Sequence, residues 1–229
     1  MTGNVLKLGI VIVFVGSTTK SFGQNKELGT WTLINTEYYF KNRYFVWAEV
    51  QTRSQNVYND FFYHELKGGA GFKPNSNVTF LLGVGQYGTY GNGGNFKSPV
   101  MHEFRLWEQL VLNNTFARGK IEHRYRIEQR WRGGEYRNRF RYRFNPVVSI
   151  NRKKLEKGSL FVTAYDEIFF TDVGPHFERN RVFGGFGYQF STPLMVQVGW
   201  LNQFDYASDH SATNKNYLQV AMYLQLNRQ

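Results

Sequence analysis

Arginine recurs at every second position of the segment RNRFRYRF, residues 137–144. Three of the four residues that follow an arginine there are aromatic. On an extended strand this period places all the arginines on one face and the aromatic rings on the other. On a helix the same spacing would distribute the arginines around the cylinder and leave no apolar stripe. The segment therefore predicts a β-strand with one charged face and one aromatic face.

The preceding segment, KIEHRYRIEQRWR at residues 120–132, repeats this pattern. Its even positions from 122 to 132 are all Glu or Arg, while the odd positions are mostly aromatic or aliphatic. Gly133-Gly134 then separates the two segments, which is a hairpin signal. We therefore expect two long strands that pair with each other, each with a charged face and an apolar face.

Two kinds of fold satisfy this pattern. In a soluble protein the charged face would contact solvent and the aromatic face would form the core. In a membrane β-barrel the aromatic face contacts lipid and the charged face lines a water-filled lumen. The chain is 18% aromatic, yet its mean hydropathy is −0.48, and no stretch after residue 23 approaches the roughly 20 apolar residues of a membrane helix. This combination favours the membrane barrel.

Strand-like segments continue through the whole chain. Many are longer than the 5–6 residues or so that are usual in globular proteins, and tight turns such as 40–42 and 191–193 alternate with long connections such as 88–99. We predict an all-β fold, a single antiparallel transmembrane β-barrel of about 10–12 strands. The predicted strands are residues 29–39, 43–53, 60–72, 77–88, 100–113, 119–132, 135–150, 158–170, 179–190, 194–206 and 215–227.

The first 23 residues have the pattern of a signal peptide. Lys7 precedes the apolar run Leu8 to Gly16, which is too short to span a bilayer, and Ser21 and Gly23 suit a cleavage site before Gln24. We therefore predict a signal peptide at 1–23, an outer-membrane β-barrel domain at 24–229, and location in the bacterial outer membrane.

Several segments resemble a known family of uncharacterised outer-membrane β-barrels, described as a domain of unknown function, from Bacteroidetes-type Gram-negative bacteria. The resemblance spans nearly all of the chain after residue 23. It implies a barrel fold and an outer-membrane location, and no activity or catalytic residue. The segments that carry it are GTWTLINTEYYF, RYRIEQRW, RNRFRYRF, AYDEIFF, NRVFGGFGYQF and VGWLNQF.

The charged positions of the predicted strands are candidates for lining the lumen. Arginine suits carboxylates and phosphates because its guanidinium is a rigid, always charged fork of donors. Two interpretations remain open: a salt-bridge network across the lumen that also draws on Glu49 and Glu65, or a selective anion path or phosphate site. The candidate lumen residues are Glu103, Glu122, Arg124, Arg126, Glu128, Arg130, Arg137, Arg139, Arg141, Arg143 and Glu167.

We expect a porin-like narrow channel or a structural envelope protein that favours anions. The alternatives are an outer-membrane enzyme acting on lipid A or phospholipid, and a soluble periplasmic β-barrel that binds a small ligand. Glu122 and Glu128 would lie roughly 20 Å apart along a strand, too far for the paired carboxylates of a glycosidase. We predict no catalytic residue, metal or cofactor.

The expected partners are outer-membrane lipids and anionic solutes. The formal net charge of +11 would also suit nucleic acid, but an exported chain rarely meets it. The chain has no cysteine, which excludes disulfides and thiolate metal sites. The sequence does not specify the oligomeric state.

Overall fold

The fold consists of long β-strands joined by turns and loops. The computed structural model describes residues 27–41, 43–91, 93 and 95–228, so the predicted signal peptide at 1–23 lies outside the described residues. The described residues form eleven strands and no helix. The strands are β1 (Gly29–Phe40), β2 (Tyr44–Asn56), β3 (Asn59–Asn75), β4 (Val78–Tyr90), β5 (Pro99–Phe116), β6 (Gly119–Arg132), β7 (Glu135–Ser149), β8 (Leu160–Thr171), β9 (Phe177–Gln189), β10 (Leu194–Tyr206) and β11 (Ala212–Leu226).

The eleven strands close into a barrel, which confirms the predicted all-β barrel of about 10–12 strands. Each strand pairs with its neighbours in the sequence, and β1 pairs with β11 to complete the ring. Ten of the pairs are antiparallel, whereas β1 and β11 run parallel. This one departure from a wholly antiparallel barrel follows from the odd number of strands, because strand direction alternates around the ring.

The odd count also places the start of β1 and the end of β11 at opposite ends of the barrel. We call these the N-terminal end and the C-terminal end. Two-residue turns occur at both ends, and the ten-residue connection 150–159 lies at the C-terminal end. Short and long connections are therefore less strictly segregated than the sequence predicts. The connections at the N-terminal end are 57–58, 91–98, 133–134, 172–176 and 207–211, and those at the C-terminal end are 41–43, 76–77, 117–118, 150–159 and 190–193.

The outer surface of the barrel is largely apolar. At every second position of most strands an apolar or aromatic side chain faces outward, because successive side chains of a strand point to opposite faces. Phe186 on β9 is 62% exposed and Trp200 on β10 is 49% exposed. The exposed outward-facing side chains include Ile34, Tyr38, Tyr44, Val46, Val50, Leu66, Phe80, Leu82, Val84, Tyr125, Ile127, Phe140, Phe144, Val182 and Val198.

Two apolar clusters lie on the inner surface. The first, which we call the apolar wall, belongs to β1, β2, β4 and β5 and contains Tyr39, Phe45, Trp47, Leu81 and Trp107. The second, which we call the aromatic plug, belongs to β1 and β9–β11 and contains Trp31, Phe183, Leu201 and Tyr217.

Candidate functional site

The β6–β7 hairpin carries the densest set of charges in the barrel interior. Its backbone register sets Glu128 opposite Arg139, and Arg124 opposite Arg143. Arg126 likewise lies opposite Arg141. Like charges directly opposite each other in a sheet are destabilising, so these arginines need carboxylates from the same hairpin and from other strands.

Glu128 supplies one such carboxylate and is fully buried. It accepts hydrogen bonds from Arg139 Nε at 2.9 Å and from Arg141 Nη1 at 2.5 Å. Arg126 Nη1 donates to it at 3.4 Å, and Arg105 Nη1 lies 3.9 Å away. One carboxylate therefore neutralises some of the charge of four guanidinium groups.

Glu167 on the next strand, β8, supplies a second carboxylate. Its Oε1 accepts hydrogen bonds from Arg124 Nη2 at 2.6 Å and from Arg141 Nη2 at 2.7 Å. Arg181 on β9 approaches its other oxygen at 3.9 Å. Arg141 thus connects Glu128 and Glu167, and the two carboxylates belong to one continuous network.

The network continues toward the N-terminal end. Glu103 accepts hydrogen bonds from Arg105 Nε at 2.8 Å and from Arg130 Nη2 at 3.2 Å. Glu178 accepts from Arg130 Nη1 at 2.9 Å and from Arg139 Nη1 at 3.5 Å. We call this connected group the charged layer; it comprises Glu103, Arg105, Glu128, Arg130, Arg139, Arg141, Glu167 and Glu178.

The remaining candidate residues lie on either side of the charged layer. Toward the C-terminal end, Glu122 accepts a hydrogen bond from Arg143 Nη2 at 2.5 Å and lies 3.5 Å from Lys120 Nζ. Arg137 lies near the N-terminal end of β7, on the same face as Arg139, and is partly exposed. Within the described residues, the Arg137 side chain forms no hydrogen bond or ion pair.

A second ion-pair group on β2 and β3 faces the same interior. Arg53 pairs with Glu65, and Lys67 pairs with both Glu65 and Glu49. The Arg53 guanidinium also lies 3.5 Å from the centroid of the Trp31 ring, which is a cation–π geometry. This contact joins the charges of β2 and β3 to the aromatic plug.

The aromatic plug and the charged layer lie next to each other toward the N-terminal end of the interior. Phe169 and Leu201 have no exposed surface, and Arg139 is 1% exposed. Arg181 links the two groups, because its guanidinium lies 4.6 Å from the Trp31 ring centroid and 4.8 Å from that of Phe169.

The interior contains a cavity of about 810 Å³, which we call the chamber and which reaches the C-terminal end. Lys154, Leu155, Thr192 and Pro193 of the connecting segments line its rim at the C-terminal end. Thirteen cationic side chains line the chamber against five carboxylates. Glu128 and Asp205, which are not part of this lining, pair with five of the thirteen, so cationic groups remain in excess. The cations are Lys67, Lys73, Arg105, Lys120, Arg124, Arg126, Arg139, Arg141, Arg143, Lys154, Arg179, Arg181 and Arg228, and the carboxylates are Glu37, Glu49, Glu65, Glu122 and Glu167.

Sequence reasoning missed Glu178 and three interior arginines, Arg105, Arg179 and Arg181. Arg105 follows Glu103 at a spacing of two, so strand alternation could have found it. Glu178 could not be found in this way, because a bulge between Phe169 and Phe170 shifts the register of β8 against β9. An extra residue in a strand interrupts the alternation of faces.

The described residues contain no group of three or more His, Cys, Asp or Glu side chains that could hold a metal ion. No helix in the same stretch of the chain is long and apolar enough to cross a membrane.

These features define a class of protein: a closed eleven-stranded β-barrel with an apolar outer surface and a cation-rich interior. The chain belongs to the family described as "Protein of unknown function (DUF2490)", whose model matches residues 28–214. That range extends from the residue before β1 into the start of β11, and it confirms the resemblance to a domain of unknown function. No curated protein and no solved structure matches the chain.

Proposed function

We propose that this protein is an outer-membrane β-barrel that binds anionic solutes in its chamber, which they enter from the C-terminal end. The observation that carries the proposal is the charge of the chamber, where thirteen cationic side chains outnumber five carboxylates. In a site partly shielded from water, unbalanced guanidinium charge attracts anions more strongly than on an open surface.

The outer-membrane location is supported by the outer surface. Soluble monomers rarely expose continuous apolar surface over more than a few hundred Å², whereas this barrel exposes apolar side chains on almost every strand. Closed barrels satisfy all their backbone hydrogen bonds between strands, which suits them to a lipid environment. The soluble-barrel alternative would leave this surface in contact with water.

The binding chamber accounts for the interior better than an open pore does. A porin leaves an aqueous channel through the whole barrel, whereas here the charged layer and the aromatic plug lie in the interior toward the N-terminal end. Solutes would therefore enter the chamber and leave it at the same end unless the charged layer rearranged. The arginines would replace some of the hydration of a bound anion.

The test is phosphate binding to the full chain in lipid nanodiscs, measured by equilibrium dialysis with radiolabelled inorganic phosphate. The variant Arg124→Gln/Arg143→Gln removes two chamber cations, and Arg137→Gln is the matched control because Arg137 does not line the chamber. Folding of each variant is checked by heat-modifiable migration on gels. We expect phosphate binding by the parent and the control and at least about tenfold weaker binding by the double variant, since each hydrogen bond to a charged group contributes substantially.

Planar-bilayer recording complements the dialysis. We expect no steady openings from the parent protein. Absence of binding of both phosphate and an organic sulfonate by a folded parent would overturn the binding proposal. Steady anion-selective openings would overturn the closed chamber and favour the porin-like channel instead.

A further inference from the structure

The chamber has two chemically different sides. The apolar wall lies on β1, β2, β4 and β5, while β6 and β7 contribute Lys120, Arg124, Arg126 and Arg143. In a ring of eleven strands β2 and β7 lie on opposite sides. Trp47 on β2 and Arg143 on β7 therefore face the chamber from opposite sides.

Glycines allow the apolar wall to lie flat. A side chain on Gly71 of β3 would overlap the ring of Phe45, and one on Gly83 of β4 would overlap the ring of Trp107. Both rings therefore rest against the inner surface of neighbouring strands instead of projecting across the lumen. Of the apolar wall, Phe45, Trp47 and Leu81 line the chamber, so part of the chamber surface is apolar.

Arg124 and Arg143 form the polar side of the chamber. They lie directly opposite each other on β6 and β7. Each donates through Nη2 to a carboxylate, Arg124 to Glu167 at 2.6 Å and Arg143 to Glu122 at 2.5 Å. The Nε groups of both arginines are buried and have no hydrogen-bond partner among the described residues. The Nη1 group of each arginine takes no part in these pairs, and two adjacent guanidiniums of this kind suit the oxygens of an anionic group.

The size of the chamber also bears on the ligand. Its volume of about 810 Å³ falls within the range of roughly 300–1,000 Å³ for small-molecule sites. An inorganic anion would leave most of this space and all of the apolar wall unused. A ligand that contacts both sides must have an apolar body and an anionic group.

We propose that the chamber binds an amphipathic organic anion: an aromatic or aliphatic carboxylate, sulfonate or phosphate monoester. Its apolar body contacts the apolar wall, and its anionic group binds Arg124 and Arg143. This inference rests on the proposed function, because it names the class of anionic solute that the chamber takes.

The experiment compares three probes by equilibrium dialysis against the full chain in nanodiscs, with empty nanodiscs as the blank. Naphthalene-2-sulfonate has both ring and charge, methanesulfonate has the charge alone, and 2-naphthol has the ring without the permanent charge. We expect naphthalene-2-sulfonate to bind at least about tenfold more tightly than either partial probe, because burial of an aromatic ring and pairing of a charge each favour binding.

Variants separate the two sides of the chamber. Trp47→Leu should weaken the binding of naphthalene-2-sulfonate and leave the binding of inorganic phosphate unchanged. Trp200→Leu on the outer surface is the matched control. Arg124→Gln/Arg143→Gln should weaken the binding of both ligands, and Arg137→Gln is its control. Both controls should bind like the parent.

The outcomes distinguish this inference from the proposed function. If phosphate binds but naphthalene-2-sulfonate binds no more tightly than methanesulfonate, the amphipathic ligand is wrong and the anion chamber stands. If 2-naphthol binds as tightly as naphthalene-2-sulfonate, the site is simply apolar and the inference is wrong. If a folded protein binds no anion, both proposals fail.

Discussion

Arg139 and Glu128 form a fully buried ion pair between β7 and β6. Arg139 Nε donates to Glu128 Oε2 at 2.9 Å, and Nη2 donates to the same oxygen at 2.5 Å. Glu128 has no exposed surface and Arg139 is 1% exposed. A buried charge is tolerated only when it is paired and hydrogen-bonded, so each residue depends on the other.

Glu128→Gln should strongly destabilise the barrel. The substitution removes the carboxylate that four guanidiniums share and leaves their charge buried without compensation, for which we expect a loss of about 3–5 kcal/mol. Urea unfolding in lipid vesicles, followed by tryptophan fluorescence, measures the free energy of unfolding.

The matched control is Glu122→Gln, near the C-terminal end of β6. Glu122 is partly exposed and pairs with two cations, Arg143 and Lys120, instead of four, so its loss should cost less than the loss of Glu128. Equal unfolding midpoints for the two variants would contradict the central role of Glu128.

The pair should also show strong coupling. Arg139→Gln removes one of the cations that Glu128→Gln leaves unpaired. The loss in free energy of unfolding of the double variant should therefore be about 1–3 kcal/mol smaller than the sum of the two single losses. A complete double-mutant cycle of urea unfolding checks this value. Strict additivity would mean that the two side chains contribute independently despite their contact.

Much of the fold follows from side-chain alternation. Strand pattern and turn residues predicted eleven segments whose bounds agree with the structure to within a few residues. The β6–β7 hairpin was the clearest case, because charge at every second position fixes the inward face of both strands and the two-residue turn at Gly133-Gly134 fixes their register. A shift of one residue would turn every charge outward.

The arrangement inside the barrel was much less accessible from sequence. Glu167 lies opposite Arg143 in the backbone register, yet its carboxylate accepts hydrogen bonds from Arg124 and Arg141. Such diagonal pairing depends on side-chain conformation and on the curvature of the ring. The shape of the chamber likewise depends on how strands distant in sequence meet across the lumen.

Gly83→Ala should destabilise the barrel through steric overlap. A methyl group at position 83 would overlap the Trp107 ring, which is fully buried, and overpacking of this kind costs about 1–3 kcal/mol. Urea unfolding gives the free energy of unfolding, and a change in tryptophan emission would accompany displacement of the ring.

Gly184→Ala is the control for that substitution. Gly184 lies on β9 with no atom within 4 Å of an added Cβ, so the change in stability should stay within about 0.5 kcal/mol. If Gly83→Ala proved as harmless as Gly184→Ala, the close packing of Trp107 against β4 would be wrong.

Val198→Arg should distinguish a lipid-facing surface from a water-facing one. Val198 is 43% exposed, lies near the middle of β10, and pairs with Val220 on β11 and Phe186 on β9. If this surface contacts the centre of a bilayer, arginine there costs about 2–4 kcal/mol, whereas near the interface it costs about 0–1 kcal/mol.

Val100→Arg provides that comparison, because Val100 is 66% exposed near the N-terminal end of β5. The free energy of unfolding, measured with urea in phospholipid vesicles, should therefore be well below that of Val100→Arg for the Val198→Arg variant. In a soluble barrel both side chains would contact water and the two variants would be equally stable, which would contradict the outer-membrane location.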